Sequence, residues 1–236
     1  MAEIVAYQSG IANGYFVVDQ SIIAVDTGSI EGEDVFRQIC KNADIPMEKI
    51  KLIVITHGHV DHFANLPAMK KLTGASVLCH REAAPYLREG RLPDVVGRTQ
   101  VGMDLIELRK KTGFPSESAP SVEPDIIIDD EYDMSPWGVD ATILYTPGHS
   151  KGCISILFPD HKAIIGDLYA RPAFGGEDGP AFFTYPGARF EETRESLDKV
   201  LEQGIELFYS GHGGPYTRER VLRRLREETK PDLFKA

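Results

Sequence analysis

The sequence predicts a layered α/β fold in which helices cover the faces of β-sheets. Two observations carry this: short β-branched or aromatic runs recur along the chain, and amphipathic stretches are interleaved between them. A third is length, since 236 residues can bury a substantial core, as one large domain or two small ones.

The elements follow in order. Ile4 to Gln8, Tyr15 to Asp19 and Ile22 to Asp26 read as strands, with Asn13-Gly14 and Gln20-Ser21 as turn signals. Glu31 to Asn42 carries an amphipathic helix whose apolar face is Val35, Phe36 and Ile39. Lys51 to Thr56 is the next strand, Asn65 to Thr73 a helix stopped by Gly74, and Ser76 to His80 a further strand. From Pro85 to Pro124 five prolines surround one helix-like stretch, Thr99 to Thr112, which suggests an insertion over one edge. Strands resume at Asp125 to Asp129, Val139 to Tyr145, Ile154 to Phe158 and Lys162 to Ile165. A helix near Glu191 to Gln203, a strand at Leu207 to Ser210 and a charged terminal helix from Thr217 complete the chain.

The most informative segment is Ile53-Val54-Ile55-Thr56-His57-Gly58-His59-Val60-Asp61-His62. It places three imidazoles and a carboxylate within six residues of an apolar strand's end, where metal ligands are naturally presented. His57 and His59, two apart in extended chain, project to one side; Asp61 and His62 leave that alternation and can serve a second centre. Later runs end in the same way: Ile143-Leu144-Tyr145 leads to His149, Ala163-Ile164-Ile165 to Asp167, and Leu207-Phe208-Tyr209 to His212. A glycine immediately precedes each of these three residues and permits a sharp turn or close backbone approach. Taken singly, each has an ordinary reading as a turn residue.

Composition narrows the classes. Lys and Arg number 26 against 36 Asp and Glu, a formal charge of −10, which disfavours a nucleic-acid-binding face. With no export-signal pattern and no apolar run of membrane-spanning length, the expected location is cytoplasmic, away from the membrane. Cys40, Cys79 and Cys153 have no motif spacing and read as reduced, mostly buried thiols. His80 and His161 read as structural or solvated. Asp26-Thr27-Gly28 alone resembles the tripeptide of aspartic proteases, but that chemistry needs two carboxylates sharing a proton and only one such tripeptide occurs.

With His57, His59, Asp61 and His62 followed in order by His149, Asp167 and His212, nearly the whole chain resembles the metallo-β-lactamase superfamily. The resemblance implies a four-layer αββα sandwich spanning residues 1–236 as one domain, with the insertion near 85–124 and two metals in a groove at one edge. His57, His59 and His149 would bind the first metal, Asp61, His62 and His212 the second, and Asp167 would bridge them. Asp26-Thr27-Gly28 would have a structural task beneath the metal loops. A homodimer is plausible from the resemblance alone.

The expected activity is hydrolysis of a small acyl substrate, a thioester, lactone or related ester, by hydroxide formed between two divalent ions, zinc first and iron or manganese next. Asp61 is the expected catalytic residue, orienting that nucleophile. Lys151, Tyr169, Arg171, Phe174, Phe183 and Tyr185 are candidate substrate contacts, with Arg171 meeting an anion and the aromatics forming a wall. Glyoxalase II-like relatives carry a C-terminal helical domain where this chain has one helix and the tail Pro231 to Ala236, which argues against a glutathione thioester. Two alternatives stand beside this reading. One is a persulfide dioxygenase-like oxidoreductase holding a single iron on His57, His149 and Asp167, and the other is a non-catalytic metal-binding module.

Overall fold

The computed structural model describes residues 1–113, 116–172 and 175–230. In the first half, β1 (Glu3–Ser9), β2 (Ala12–Val18) and β3 (Ile22–Val25) form an antiparallel meander. Helix α1 (Glu33–Asn42) leads to β4 (Ile50–Ile55), parallel to β3; α2 (Val60–Phe63) and α3 (Leu66–Thr73) then lead to β5 (Ser76–His80), parallel to β4. The crossover from β5 to its parallel neighbour β7 (Ile126–Ile128) contains α4 (Ala84–Glu89), β6 (Val96–Gly97) and α5 (Gln100–Thr112). The first sheet therefore runs β1-β2-β3-β4-β5-β7.

In the second half, β8 (Tyr132–Asp133), β9 (Thr142–Tyr145), β10 (Ile154–Phe158) and β11 (Lys162–Ile164) pair antiparallel in sequence. Two short pairings follow, β12 (Tyr169–Ala170) with β13 (Gly179–Pro180), and β14 (Phe183–Thr184) back to β6. After α6 (Glu192–Glu202) come β15 (Leu207–Tyr209), parallel to β11, then β16 (Tyr216–Thr217) and α7 (Arg218–Glu227). The second sheet runs β16-β15-β11-β10-β9-β8.

The continuous apolar runs have a direct cause: these strands are buried on both faces. Along β4, Leu52 and Val54 face the other sheet and pack with Val17, Ile23, Ile143, Ile156 and Ile164. The alternate residues Ile53 and Ile55 face outward onto Phe36, Phe63, Leu66 and Met69 of the first helix layer. On the other side, Leu157, Ala163 and Phe208 pack beneath Leu197, Val200, Leu201, Val221 and Leu225 of α6 and α7. Three separate clusters thus define four layers, αββα. Each such side chain, fully buried, contributes about 1.5–3 kcal/mol.

Strand directions determine where the later loops meet. Because β9 and β11 both pair antiparallel with β10, they run the same way, and β15 is parallel to β11. Their C-terminal ends, which lead to His149, Asp167 and His212, therefore emerge at one edge.

Two sequence expectations change. The first hairpin turns at Gly10 and Ile11, with Ser9 opposite Ala12, while Asn13 and Gly14 lie inside β2 opposite Gln8 and Tyr7. The missing side chain is used for packing: a Cβ on Gly14 would fall 2.4 Å from the Tyr7 ring. The 85–124 segment holds two helices rather than one, with Pro85 in the first turn of α4, where its absent N–H costs no helical bond. Among the described residues no helix is long and apolar enough to cross a membrane.

That segment is tied to the C-terminus by Arg98, whose side chain is fully buried. Its guanidinium donates to the Phe190 and Ala181 carbonyls, pairs with Glu228, and lies 4.3 Å from the Phe190 ring centre. Arg98→Met should lower unfolding free energy by about 3–5 kcal/mol, because the Glu228 carboxylate loses its buried guanidinium. Arg81→Met, which breaks an exposed pair with Asp129, should leave stability nearly unchanged. Urea denaturation of both variants checks the contrast, and equal effects would contradict it.

Candidate metal centre

The carboxylate of Asp26, at the end of β3, lies beneath the site and is 1% exposed. Its Oδ1 accepts the Thr56 backbone N–H at 2.8 Å, and its Oδ2 accepts the Thr56 hydroxyl at 2.7 Å. Since that hydroxyl proton is committed to Asp26, His57 Nδ1 at 3.1 Å must be the donor to Thr56 Oγ1. This leaves a lone pair on His57 Nε2. His62 Nδ1 donates to Asp26 Oδ2 at 2.8 Å, so its Nε2 also faces the site. His212 Nδ1 donates to the Ile11 carbonyl at 2.7 Å and presents Nε2 likewise. Outer hydrogen bonds of this kind select the tautomer and ring orientation of metal-binding histidines.

The seven side chains from four sequence regions are brought together at this edge. His57, His59 and His149 form one set, Asp61, His62 and His212 another, with candidate ligand atoms within 4.8 Å of one another in each. His59 Nδ1 and His149 Nε2 approach to 2.8 Å. Asp167 reaches both sets: its Oδ2 lies 3.5 Å from His149 Nε2 and 3.2 Å from His212 Nε2, and its Oδ1 lies 3.5 Å from His62 Nε2. Asp61 Oδ2 is 3.2 Å from His212 Nε2. The helical turn of α2 that begins after His59 rotates Asp61 and His62 away from the first pair, which gives the division its local cause.

These donors fit divalent cations. His57 Nε2, His62 Nε2 and Asp167 Oδ1 are buried with no hydrogen-bond partner among the described residues, an arrangement that a cation would satisfy. A Cβ on Gly211 would fall 2.1 Å from Asp167 Oδ1 and 2.5 Å from His62 Cε1, so only glycine lets the last loop pass so close.

The electrostatics differ between the sets. Burial and neighbouring imidazoles hold His57 and His59 well below the usual histidine range, and burial above all brings His149 to about 4. Burial would also depress His62 and His212, but Asp167, Asp26 and Asp61 outweigh it at His62, and Asp167 and Asp61 raise His212 to about 10. Burial opposes ionisation of Asp61 and Asp167, yet the adjacent imidazolium groups hold both below the carboxylate range. The second set therefore balances its carboxylates with protons in the metal-free protein, and cation binding must displace them.

Several supports carried no local sequence signal. Asn13 donates its side-chain amide to the Ser210 and Gly213 carbonyls, and Tyr15 donates to Ser210 at 2.5 Å, fixing the His212 loop on the first hairpin. Thr27 binds the His62 carbonyl through both its N–H and its hydroxyl, and that hydroxyl accepts the Asn65 N–H. Tyr7 donates to the Asp26 carbonyl.

A cavity of about 100 Å³ opens on the cluster, exposing His59, Asp61, His149, Asp167 and His212. Its walls include Leu92, Val95, Leu105 and Ile106 from the 85–124 segment, with Phe182 and Phe183 opposite and Arg109 and Arg171 as the cationic members. Of the substrate contacts expected from sequence, Arg171 and Phe183 line it. Tyr169 does not: it is buried and donates to Asp178 at 2.7 Å. Tyr185 donates to Glu192, and Lys151 lies 5.7 Å from the Tyr185 ring centre, so neither reaches the cavity. Phe174 lies outside the described residues. His80 stacks on Tyr145 at 4.2 Å and contacts the Asp129 carbonyl, while Cys40, Cys79 and Cys153 are buried and free.

Replacing Asp26 by asparagine removes one acceptor and the charge that orients His57, through Thr56, and His62. Asp26→Asn should bind metal about 10–100-fold more weakly, as expected for loss of an outer partner. Competition against a chromogenic chelator measures this, and wild-type affinity in the variant would contradict it.

The family model described as the metallo-beta-lactamase superfamily matches residues 9–212. The chain is 25% identical over 233 residues to the probable metallo-hydrolase YflN of Bacillus subtilis, covering 88% of this chain and 82% of the relative. Among solved structures, the archaeal superfamily protein ST1585 from Sulfolobus tokodaii superposes with a TM-score of 0.66 at 21% identity, covering 98% of this chain and 91% of that one. TTHA1623, solved in a di-iron-bound form, superposes at 0.64 with 21% identity, covering 94% and 98%. The sandwich, the order of its loops and the family match over residues 9–212 agree: the chain belongs to the metallo-beta-lactamase superfamily.

Proposed function

We propose that this chain is a binuclear metal-dependent hydrolase, zinc being the first candidate metal, acting on a small acyl substrate such as a thioester, lactone or related ester. The observation that carries the reading is the set of buried, partnerless polar atoms on His57, His62 and Asp167 beside a cavity with apolar walls. A relative named as a probable metallo-hydrolase supports the same class. Two divalent cations supply Lewis acidity, polarising an acyl carbonyl and lowering the pKa of water from near 16 to about 7.

The chain's own residues do the rest. His57, His59 and His149 would hold one cation and Asp61, His62 and His212 the other, with Asp167 within reach of both sets. Asp61, whose side chain is 12% exposed, accepts a hydrogen bond from the attacking water and aims its oxygen at the carbonyl carbon. The acyl C–S or C–O bond breaks, the water oxygen stays on the acyl carbon, one of the water's protons ends on the departing thiol or alcohol, and the other leaves to solvent as the new carboxylic acid ionises. Leu105, Ile106 and Phe183 exclude bulk water and pack the acyl chain, and Arg171 meets an anionic group.

One observation keeps an oxidative reading alive. The neighbour solved in a di-iron-bound form makes iron a second candidate metal, and with iron the pair His57 and His149 with Asp167 suits dioxygen chemistry on a persulfide.

Metal analysis of protein purified without added metal, with thioester, lactone, phosphodiester and persulfide substrates, separates the readings. About two equivalents of a zinc-like metal and turnover of a thioester or lactone are expected; one iron with oxygen uptake on the persulfide would replace the hydrolytic reading. His59→Ala should lose metal and lower kcat/KM by more than about 100-fold, beyond the usual loss of an outer partner. Circular dichroism should stay unchanged.

A further inference from the structure

Arg109 stands out among the groups lining the cavity. Its side chain is 21% exposed, and its buried Nε has no hydrogen-bond partner among the described residues. The nearest carboxylate, Glu117, is 3.5 Å from that nitrogen and itself 69% exposed, which is an ion pair at long range and not a hydrogen bond. A guanidinium kept partly from water with a donor unused is costly unless something else accepts from it. Arg109 also lines the cavity, where an anion can offset its charge through the guanidinium's other nitrogens.

The helix that carries Arg109 is held firmly over the cavity. Leu105, Ile106 and Arg109 share one face of α5 by their i, i+3 and i, i+4 spacing, and all three line the cavity. At the start of α5, Thr99 caps the helix by accepting the Gly102 N–H. A Cβ on Gly102 would fall 1.9 Å from the Phe182 carbonyl oxygen, so the helix sits directly on the aromatic wall. Buried Arg98 and the pairing of β6 with β14 clamp the same contact. Arg109 is therefore presented by a positioned element, the condition under which a charged group gives specificity.

We infer that Arg109 is a specificity-determining anchor for a carboxylate at the far end of the acyl substrate, so that the preferred substrates are monoesters or monothioesters of dicarboxylic acids. The planar guanidinium fork matches a carboxylate through paired N–H donors. The methylenes between carboxylate and scissile carbonyl pack along Leu105, Ile106 and Phe183. The reacting end of this substrate rests on the hydrolytic reading above, whereas the anion site does not.

The test uses two S-phenyl thioesters of glutaric acid, one with its distal carboxylate free and one with it capped as the methyl ester. Zinc-loaded wild type should favour the free carboxylate in kcat/KM by about tenfold or more, the usual span of a charge-assisted pair. Arg109→Met, which keeps an apolar stem, should lose that preference through KM, the free thioester falling to the level of the capped one; Arg109→Lys should retain part of it. No preference in the wild type, or an equal loss on both thioesters in Arg109→Met, would overturn the anchor. Calorimetry of monomethyl glutarate on metal-stripped protein reads the site without turnover. If neither thioester is hydrolysed, the hydrolytic reading fails and this binding decides the anchor: weaker binding to Arg109→Met by about fivefold or more supports it, and equal affinity rejects it.

Discussion

The buried carboxylate of Asp26 is the constraint on which the rest of the site depends. A charge this far from water persists only when its lone pairs are matched, and here they are matched by groups that must themselves be placed. Thr56 offers its N–H and hydroxyl, and His62 offers Nδ1. Satisfying one carboxylate therefore fixes the end of β4, the ring of His57 and the ring of His62 together. Asp26 has φ near 57°, a left-handed conformation uncommon outside glycine and asparagine, held by its bonds to Val54 and Tyr7.

The second sheet completes what Asp26 begins. Its contribution depends on strand direction, because β9, β11 and β15 all point at the same edge and each hands its next loop one polar residue. The last of those loops is held to the other half of the sandwich through Asn13, Tyr15 and the Ile11 carbonyl. Stability and function are coupled in this arrangement: the two inner sheet faces must pack correctly before the two ligand sets can meet. The candidate ligands gather at one edge, while the cavity wall combines the long crossover between β5 and β7 with Arg171, Phe182 and Phe183.

The candidate ligands were legible because each follows an apolar strand, and strand ends are recognisable from local pattern. His57, His59, Asp61, His62, His149, Asp167 and His212 could be named from that rule and from the family resemblance. The cavity wall was not legible in the same way. Tyr169 and Phe183 look alike as aromatics in one irregular stretch, yet Tyr169 turns inward to Asp178 and Phe183 faces the cavity. Leu92, Val95 and Arg109 lie in a proline-punctuated segment whose periodicity does not say which element it will cover. Asn13-Gly14 carried a true turn signal that tertiary packing overrode, because Tyr7 needed the space that a side chain on Gly14 would fill.

What the sequence determined by itself was the alternation of doubly buried strands and covering helices, and the chemistry presented at the strand ends. Both are local: burial on two faces writes itself as an unbroken apolar run, and a ligand must be a histidine or carboxylate wherever it sits. Tertiary structure decided which distant groups complete those ligands and what stands over them. The His212 loop is held by residues some two hundred positions earlier, and Arg109 reaches the cavity only because α5 packs on the Phe182 carbonyl. Such contacts depend on sheet order and close approach of backbones, which no local pattern of residues encodes.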